Sequence, residues 1–222
     1  MTTCYTLLLG GVLLLFVVRC RAELGDSLAE RVRAEKAAER EWWRARKAEQ
    51  PEDLSPAQRA RWLAAAQAAY EVERGAGRLS GTRSAVVVPA LRDELAERGW
   101  LARTWRPVPA GHRSRKARPW GTTDRRWTAR VALDIPDDLG QVLARGCHWS
   151  SAPHIKALQR WYGRHGEAHR GTHRGGRVWR GLGPSNAELA ERDRLQAAIV
   201  TTGMVLRAAI CRALDIDPVP NV

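Results

Sequence analysis

The sequence predicts a mainly helical chain with a few short strands, an α+β fold. Long segments rich in Ala, Glu and Arg begin at good helix caps, such as Ser55 and Ser185, and are separated by stretches that contain glycine and proline. The segment from Thr128 to Ile135 instead alternates polar and apolar residues, as a half-buried strand does. We therefore expect helices to make most of the fold and the strands to be short.

A membrane-anchor helix is predicted at residues 1–21. Met1 to Val18 carries no charged side chain, and its centre, LLLGGVLLLFVV, is continuously apolar. Such a run is at the short limit for a membrane span, which usually needs about 20 residues. Because Arg19 and Arg21 follow it, the positive-inside rule predicts a single-pass protein of the cell membrane with a cytoplasmic body. The alternatives are a buried N-terminal helix, or a start codon assigned too early to a protein of the cytoplasm.

Charged helices are predicted over residues 22–78. Ser27 to Glu49 has almost no apolar stripe, so we expect a solvated helix that would lift the body off the membrane as a stalk. A second helix is expected to begin at Ser55-Pro56, where a capping residue precedes a proline, and to run to about Glu73.

Residues 79–127 are predicted to hold a strand and a helix, followed by a basic arm. Ala85 to Gly99 has the order strand, Pro89, helix. From Leu101 to Arg126, arginines are interleaved with tryptophans and prolines, which suits a loop that follows a nucleic-acid backbone with bases or sugars packed beside it. The residues of this arm predicted to contact DNA are Arg113, Arg115, Lys116, Arg118 and Trp120.

One strand and two helices are predicted at residues 128–165. A proline follows the alternating strand and stops it, and a first helix then runs to Gly146. Ser150 or Ser151 is expected to cap a second helix, with Pro153 in its first turn. This order of strand, helix, glycine-containing turn, serine cap and helix resembles the ribbon-helix-helix DNA-binding fold.

The resemblance to the ribbon-helix-helix family implies a homodimer bound to double-stranded DNA. In that family two chains pair their strands into a ribbon that enters the major groove, where outward side chains touch base edges. The amides near Ser150 and Ser151 would hold a phosphate at the start of the second helix. On the DNA face, Asp134 would accept a hydrogen bond from cytosine or repel phosphate. The candidate base readers are Arg126, Thr128 and Arg130.

Residues 166–184 are predicted to be a basic glycine-rich linker, and residues 185–222 a C-terminal helical hairpin with a short tail. Ser185 is expected to cap the first helix of the hairpin, and Thr201 or Thr202 the second. The second helix has one apolar face, which we expect to pack within the protein or against a second copy of the chain.

Composition and charge favour an anionic partner. Lys plus Arg number 37 against 24 Asp plus Glu, and the resulting net charge of +13 favours phosphate-bearing or anionic-lipid partners. The four cysteines form no C-x-x-C pair, so we expect neither a disulfide framework nor a zinc module. His165, His169 and His173 have the spacing of metal ligands on a helix, but the glycines between them argue against that helix, and no cofactor is expected.

The sequence contains no catalytic motif, and we expect no enzyme activity. A Gly-rich phosphate loop, an H-E-x-x-H pair and a nucleophile elbow are all absent. Cys147 and His148 could supply a nucleophile and its base. Adjacent residues, however, rarely point the same way, and the sequence identifies no third group that would orient the histidine.

These observations predict a DNA-binding, membrane-tethered accessory protein of a mobile element, acting in plasmid transfer or maintenance. A membrane anchor on a basic cytoplasmic body resembles, in its architecture, the accessory spread proteins of conjugative plasmids, and that resemblance implies transfer-machinery proteins as partners. One alternative is a soluble transcriptional repressor with a mis-assigned start. The other is a membrane-associated scaffold without DNA binding, whose arginines meet anionic lipid or a partner protein.

Overall fold

The computed structural model describes residues 5–8, 11–76, 78–79, 81–110, 127–165 and 184–217, with side chains from residue 13 onward. Helices make up most of these ranges and the strands are short, which confirms the predicted α+β class. The elements are β1 (Tyr5–Leu8), β2 (Gly11–Cys20), α1 (Ala22–Ala48), α2 (Pro56–Gly75), α3 (Arg83–Glu97), β3 (Ala129–Pro136), α4 (Asp137–His165), α5 (Asn186–Ala197) and α6 (Thr202–Ala213).

The sheet is antiparallel, with the strand order β1-β2-β3. β2 pairs with β3 along its length, from Leu13 opposite Pro136 to Cys20 opposite Ala129. β1 pairs only with residues 11–14 of β2, so the other half of the β2–β3 pair is two-stranded. The buried residues of the inner face are Leu14, Val18 and Cys20 of β2 and Val131, Leu133 and Ile135 of β3.

The segment predicted to be a membrane-anchor helix forms strands, so the predicted helix is wrong, while attachment to a membrane stays a prediction. Gly11–Cys20 is the central strand of the sheet, paired on both edges, and Leu14 and Val18 are buried in the core. A short apolar run has the same composition in a buried strand as in a buried helix, so periodicity alone does not separate the two. Phe16 and the neighbouring valines favour the strand, because aromatic and β-branched side chains pack well on a pleated surface.

In the described part of the chain, no single helix is long and apolar enough to cross a membrane. α5 and α6 meet that criterion only when taken together, by length and composition, and they are bent by 63° at their junction.

The hydrophobic core lies between the inner face of the sheet and the helices α3, α4 and α6. Leu91 of α3, Leu143 of α4 and Ile210 of α6 are each fully buried there. At the surface, the Arg212 guanidinium of α6 donates to the carboxylate of Glu97 on α3 and lowers the pKa of that carboxyl. α6 is therefore a packing helix within the chain, one of the two roles expected of it.

α4 is one continuous helix, which corrects the predicted pair of helices at residues 128–165. Gly146 does not end a helix but lies in the middle of α4, against the ring of Trp100. Pro153 is inside α4, and Ser150 and Ser151 cap nothing because the helix runs through them. The glycine serves close packing with a tryptophan, a role that its sequence neighbours do not reveal.

α3 is also continuous, so the strand predicted between Ala85 and Pro89 is wrong. Thr82 caps α3 by accepting from the Ala85 N–H at 3.1 Å, and Pro89 lies within the helix. The predicted end of this helix is confirmed: Gly99 has a φ of +67°, the left-handed conformation that glycine favours after a helix. Of the three valines that suggested a strand, Val87 is buried in α3, and Val86 and Val88 pack partly buried against the core.

The helices α1 and α2 confirm the predicted charged helical region. Leu28 is the buried residue of α1 and Ala66 that of α2, as expected for solvated helices. Ser55 and Gln58 form a reciprocal capping box at the start of α2. Between the two helices an aromatic contact forms, in which the Tyr70 hydroxyl donates to Glu39 at 2.6 Å. The rings in this contact are Trp42, Trp43 and Tyr70.

The predicted C-terminal hairpin is confirmed as two helices. Ser185 caps α5 in a capping box with Glu188, and Thr201 caps α6 by accepting from Met204 N–H. The Ser151 hydroxyl fastens the junction of the two helices to α4, because it both donates to the Val200 carbonyl and accepts from the Val200 N–H, each at 2.9 Å.

Replacing Gly146 with Ala tests the packing of α4. A methyl group at this position would overlap the Trp100 ring, and because the neighbouring core is closely packed we expect a loss of about 1–3 kcal/mol in the free energy of unfolding. Gly163→Ala is the matched control: it lies in the same helix with nothing within 4 Å of the added methyl group, so it should be neutral or stabilise by about 1 kcal/mol. Chemical denaturation of both variants measures the difference, and equal stabilities would contradict this packing.

Candidate nucleic-acid interface

The outward side of the β2–β3 pair forms one surface, exposed along β3 and largely half-buried along β2, here called the outer ribbon face. It consists of alternate residues on both strands, since side chains two apart point the same way. Arg19, Arg130 and Asp134 are exposed on it, while the residues between Arg130 and Asp134 that point to the other side of β3 are buried. The alternation predicted from Thr128 to Ile135 is therefore confirmed. The members of the face are Leu13, Leu15, Val17 and Arg19 of β2 and Arg130, Ala132 and Asp134 of β3.

Arg19 and Arg130 are directly opposite each other in the β2–β3 register. Both side chains are exposed, and neither forms an ion pair with any residue that the structure describes. Like charges at directly opposed positions destabilise a sheet, because the side chains lie about 5 Å apart at Cβ. An anion between the two guanidinium groups would offset that repulsion.

A third cation lies behind the same end of the ribbon. The Arg207 guanidinium stacks on the Trp127 ring, with its central carbon 3.6 Å from the ring centroid. The same side chain donates from Nη1 to the Arg19 carbonyl oxygen at 3.2 Å. Partial burial lowers the pKa of Arg207, but a guanidinium stays charged at neutral pH. Its charge therefore adds to the positive potential at the Arg19–Arg130 end.

The predicted DNA-contacting residues fall into three groups in the structure. Thr128 and Arg130 are exposed at the start of β3, and their role as base readers stays a prediction. Ser150 and Ser151 lie within α4. The remaining six lie outside the described residues, so their roles stay predictions. These are Arg113, Arg115, Lys116, Arg118, Trp120 and Arg126.

The predicted phosphate site at Ser150 and Ser151 is wrong. Both residues lie inside α4, where backbone N–H groups bond to carbonyl oxygens of the preceding turn and are not available to a ligand. Ser151 is only 2% exposed, and its hydroxyl is committed to Val200. The helix start near β3 is at Asp137 instead, where carboxylates occupy the first turn.

The first part of the predicted basic arm is packed against the protein. Trp105 is buried, its indole N–H donates to the Trp100 carbonyl at 3.0 Å, and the Arg103 guanidinium lies 4.7 Å from its ring centroid. The Trp149 indole of α4 donates to the Arg106 carbonyl at 2.9 Å. Trp105 is therefore a core residue and not a platform for bases.

Sequence reasoning missed Arg19, because that residue follows the run that was taken for a membrane helix. The signal that could have found it is the antiparallel register, which places Arg19 opposite Arg130 once the apolar run is treated as a strand. The ribbon is also complete within one chain. β2 already pairs with one edge of β3, so dimerisation stays a prediction but is not needed to form a two-stranded ribbon.

A groove borders the other edge of β3. The Asp134 N–H donates to the Ser84 hydroxyl at 2.8 Å, which fixes the start of α3 against the strand. Between this contact and α1 lies a space of about 660 Å³, here called the β3 groove. Its lining residues are Ala29, Val32, Arg33 and Lys36 of α1, Gly81, Thr82, Arg83 and Ser84 at the start of α3, and Ala132 and Asp134 of β3.

Residues considered for catalysis and metal binding are buried or in contact with other side chains, as Cys147 and His165 show. Burial raises the pKa of Cys147 to about 12, so its thiol is protonated at neutral pH and is a poor nucleophile. His165 stacks on the Trp161 ring at 4.5 Å between centroids and lies 3.7 Å from a Glu188 carboxylate oxygen. Within the described ranges, no group of three His, Cys, Asp or Glu side chains is placed to hold a metal ion.

Comparisons with protein-family models, with curated proteins and with solved structures give no match to this chain. Its function must therefore be inferred from the chemistry of its own surface.

Removing one member of the Arg19–Arg130 pair should stabilise the fold at low salt. Arg130→Gln relieves the cross-strand repulsion, so we expect the free energy of unfolding to rise by about 0.2–1 kcal/mol, and the gain to shrink as salt screens the charges. Arg59→Gln, on the exposed surface of α2, should change stability less. If Arg130→Gln instead lowers stability while Arg59→Gln does not, the two guanidinium groups do not repel each other in the native state.

Proposed function

We propose that this chain binds double-stranded DNA through the outer ribbon face. The observation that carries the proposal is the direct opposition of Arg19 and Arg130, two exposed cations held on adjacent strands by the core beneath them. Neither forms an ion pair with an acid that the structure describes. DNA phosphates are regularly spaced anions, and cations that neutralise them gain free energy by releasing condensed counterions. The repulsion that the free protein bears is then relieved in the complex.

The shape of the ribbon supports a duplex as the partner. The major groove is about 12 Å wide and admits a two-stranded β-ribbon. The half of the β2–β3 pair that carries Arg19 and Arg130 is two-stranded, because β1 ends its pairing at Leu14. Thr128 extends the same exposed edge at the start of β3. Arginine can bond guanine bidentately and threonine can contact a base, so the end of the ribbon offers both phosphate contact and base readout.

The charge of the whole chain favours the same partner. A net charge of +13 raises the rate of encounter with a polyanion even before specific contacts form. The predicted arm is joined to β3 through Trp127, whose ring Arg207 holds beside Arg19. Tethering to a membrane, and a role in plasmid transfer with its machinery, stay predictions that this proposal does not require.

The test is duplex binding by the full chain across a salt series. Each phosphate neutralised contributes about −0.9 to the slope of log K against log salt concentration. Arg19→Gln/Arg130→Gln should therefore make the slope shallower by about 1.8 and weaken binding at low salt. Arg59→Gln/Arg61→Gln removes the same charge from the exposed surface of α2. This variant should leave the slope unchanged, because those side chains are not on the outer ribbon face.

Two outcomes would contradict the proposal. If both double variants change the slope equally, the protein attracts DNA only through its net charge, and the ribbon has no special role. If wild-type protein fails to bind duplex at low salt, the DNA-binding function is wrong. In that case retention on vesicles of anionic lipid, measured with the same variants, would distinguish the membrane-scaffold alternative.

A further inference from the structure

The β3 groove carries three cations from two elements. Ala29, Val32, Arg33 and Lys36 lie on one stripe of α1, since they follow the spacing i, i+3, i+4 and i+7. Arg83 enters the groove from the first residue of α3. None of the three cations forms an ion pair with a residue in the described part of the chain. The groove therefore concentrates positive charge beside the outer ribbon face.

Two acids flank the groove, and in the described part of the chain neither forms an ion pair with these three cations. Arg31, one residue from the stripe, pairs with Glu35 at 2.9 Å on the neighbouring side of α1. At one end of the groove, Glu39 accepts from the Tyr70 hydroxyl of α2 through Oε1 at 2.6 Å, while its Oε2 lies against Gly81.

Asp134 is the acid inside the groove. Its side chain is exposed on the outer ribbon face, and it forms no ion pair with Arg33, Lys36 or Arg83 although all four line the same space. The Asp134 N–H is already bonded to the Ser84 hydroxyl, which fixes the backbone of the strand at this point. A carboxylate only accepts hydrogen bonds. A ligand in the groove must then be anionic where it meets the cations and must donate a hydrogen bond where it meets Asp134.

We propose that the β3 groove binds a nucleotide. Its phosphate contacts Arg33, Lys36 and Arg83, and an exocyclic amino group of its base donates a hydrogen bond to the Asp134 carboxylate. The choice of a nucleotide rests on the proposed DNA-binding function. The space of about 660 Å³ lies within the range of about 300–1,000 Å³ typical of small-molecule sites. Cytosine and adenine carry the required amino donor, whereas thymine and uracil present a carbonyl oxygen at the equivalent position. Asp134 thus becomes the residue that selects the base at one position.

The experiment is a titration of the full chain with CMP and UMP, which differ at the group that would face Asp134. CMP should bind at least about fivefold more tightly than UMP, the lower end of the discrimination that one good base contact gives. Asp134→Asn should abolish this preference. Arg33→Gln/Lys36→Gln should weaken both ligands by about tenfold or more, and cytidine, which lacks the phosphate, should bind as weakly as CMP does to that variant. Arg59→Gln/Arg61→Gln is the control of equal charge.

Three results would overturn the proposal. Equal affinities for CMP and UMP would show that Asp134 does not select the base. Higher affinity for both ligands in Asp134→Asn would show that the carboxylate only repels them. An equal loss in the groove variant and in the control variant would show attraction by net charge alone. These titrations contain no DNA, so a negative result does not contradict duplex binding by the ribbon. A negative duplex assay likewise does not decide whether the groove binds a nucleotide, which the titrations test directly.

Discussion

The pairing of β2 with β3 is the interaction on which the rest of the structure depends. β2 supplies Leu14 and Val18 to the same buried layer as Leu133 and Ile135 of β3, and the helices α3, α4 and α6 pack on that layer. Burying one such side chain stabilises the folded state by about 1.5–3 kcal/mol, so the two strands together contribute a large part of the stabilisation that the core provides. Without β2, the edge of β3 that it covers would be unpaired, and the inner face would be too narrow to hold three helices.

The same pairing determines what the outer face presents. Side chains alternate along a strand, so shifting β2 by one residue would bring Arg19 into the core and expose Val18. The apolar inner face therefore fixes the register, and that register places Arg19 opposite Arg130. Their repulsion is tolerated because the buried layer outweighs it. The β3 groove depends on the strand as well, since the Ser84 contact with the Asp134 N–H positions α3 to form one wall. Both proposed sites thus share a single rigid support.

Local signals predicted much of the fold. The caps at Ser55 and Ser185, the solvated character of α1 and the alternation along β3 depend on neighbours in sequence, and the structure confirms them. The errors arose where distant contacts decide. Gly146 is accommodated within α4 because Trp100 packs on it, and the apolar N-terminal run is a strand because β3 lies beside it. The candidate site could be predicted only in part for the same reason. The alternation of polar and apolar residues along β3 predicts that Arg130 is exposed, whereas the positions of Arg19 and the groove depend on the tertiary arrangement.

The most direct test of this account is a disulfide formed across the ribbon. Val17 and Ala132 are partners in the β2–β3 register and both lie on the outer face. Val17→Cys/Ala132→Cys should therefore oxidise within one chain, because partners of this kind lie within the Cα distance of about 4.4–6.8 Å that a disulfide needs. Leu15→Cys/Ala132→Cys places the cysteines on a diagonal about 7–8 Å apart and should oxidise poorly. Equal oxidation of the two variants, or none in the first, would show that β2 does not pair with β3 in this register.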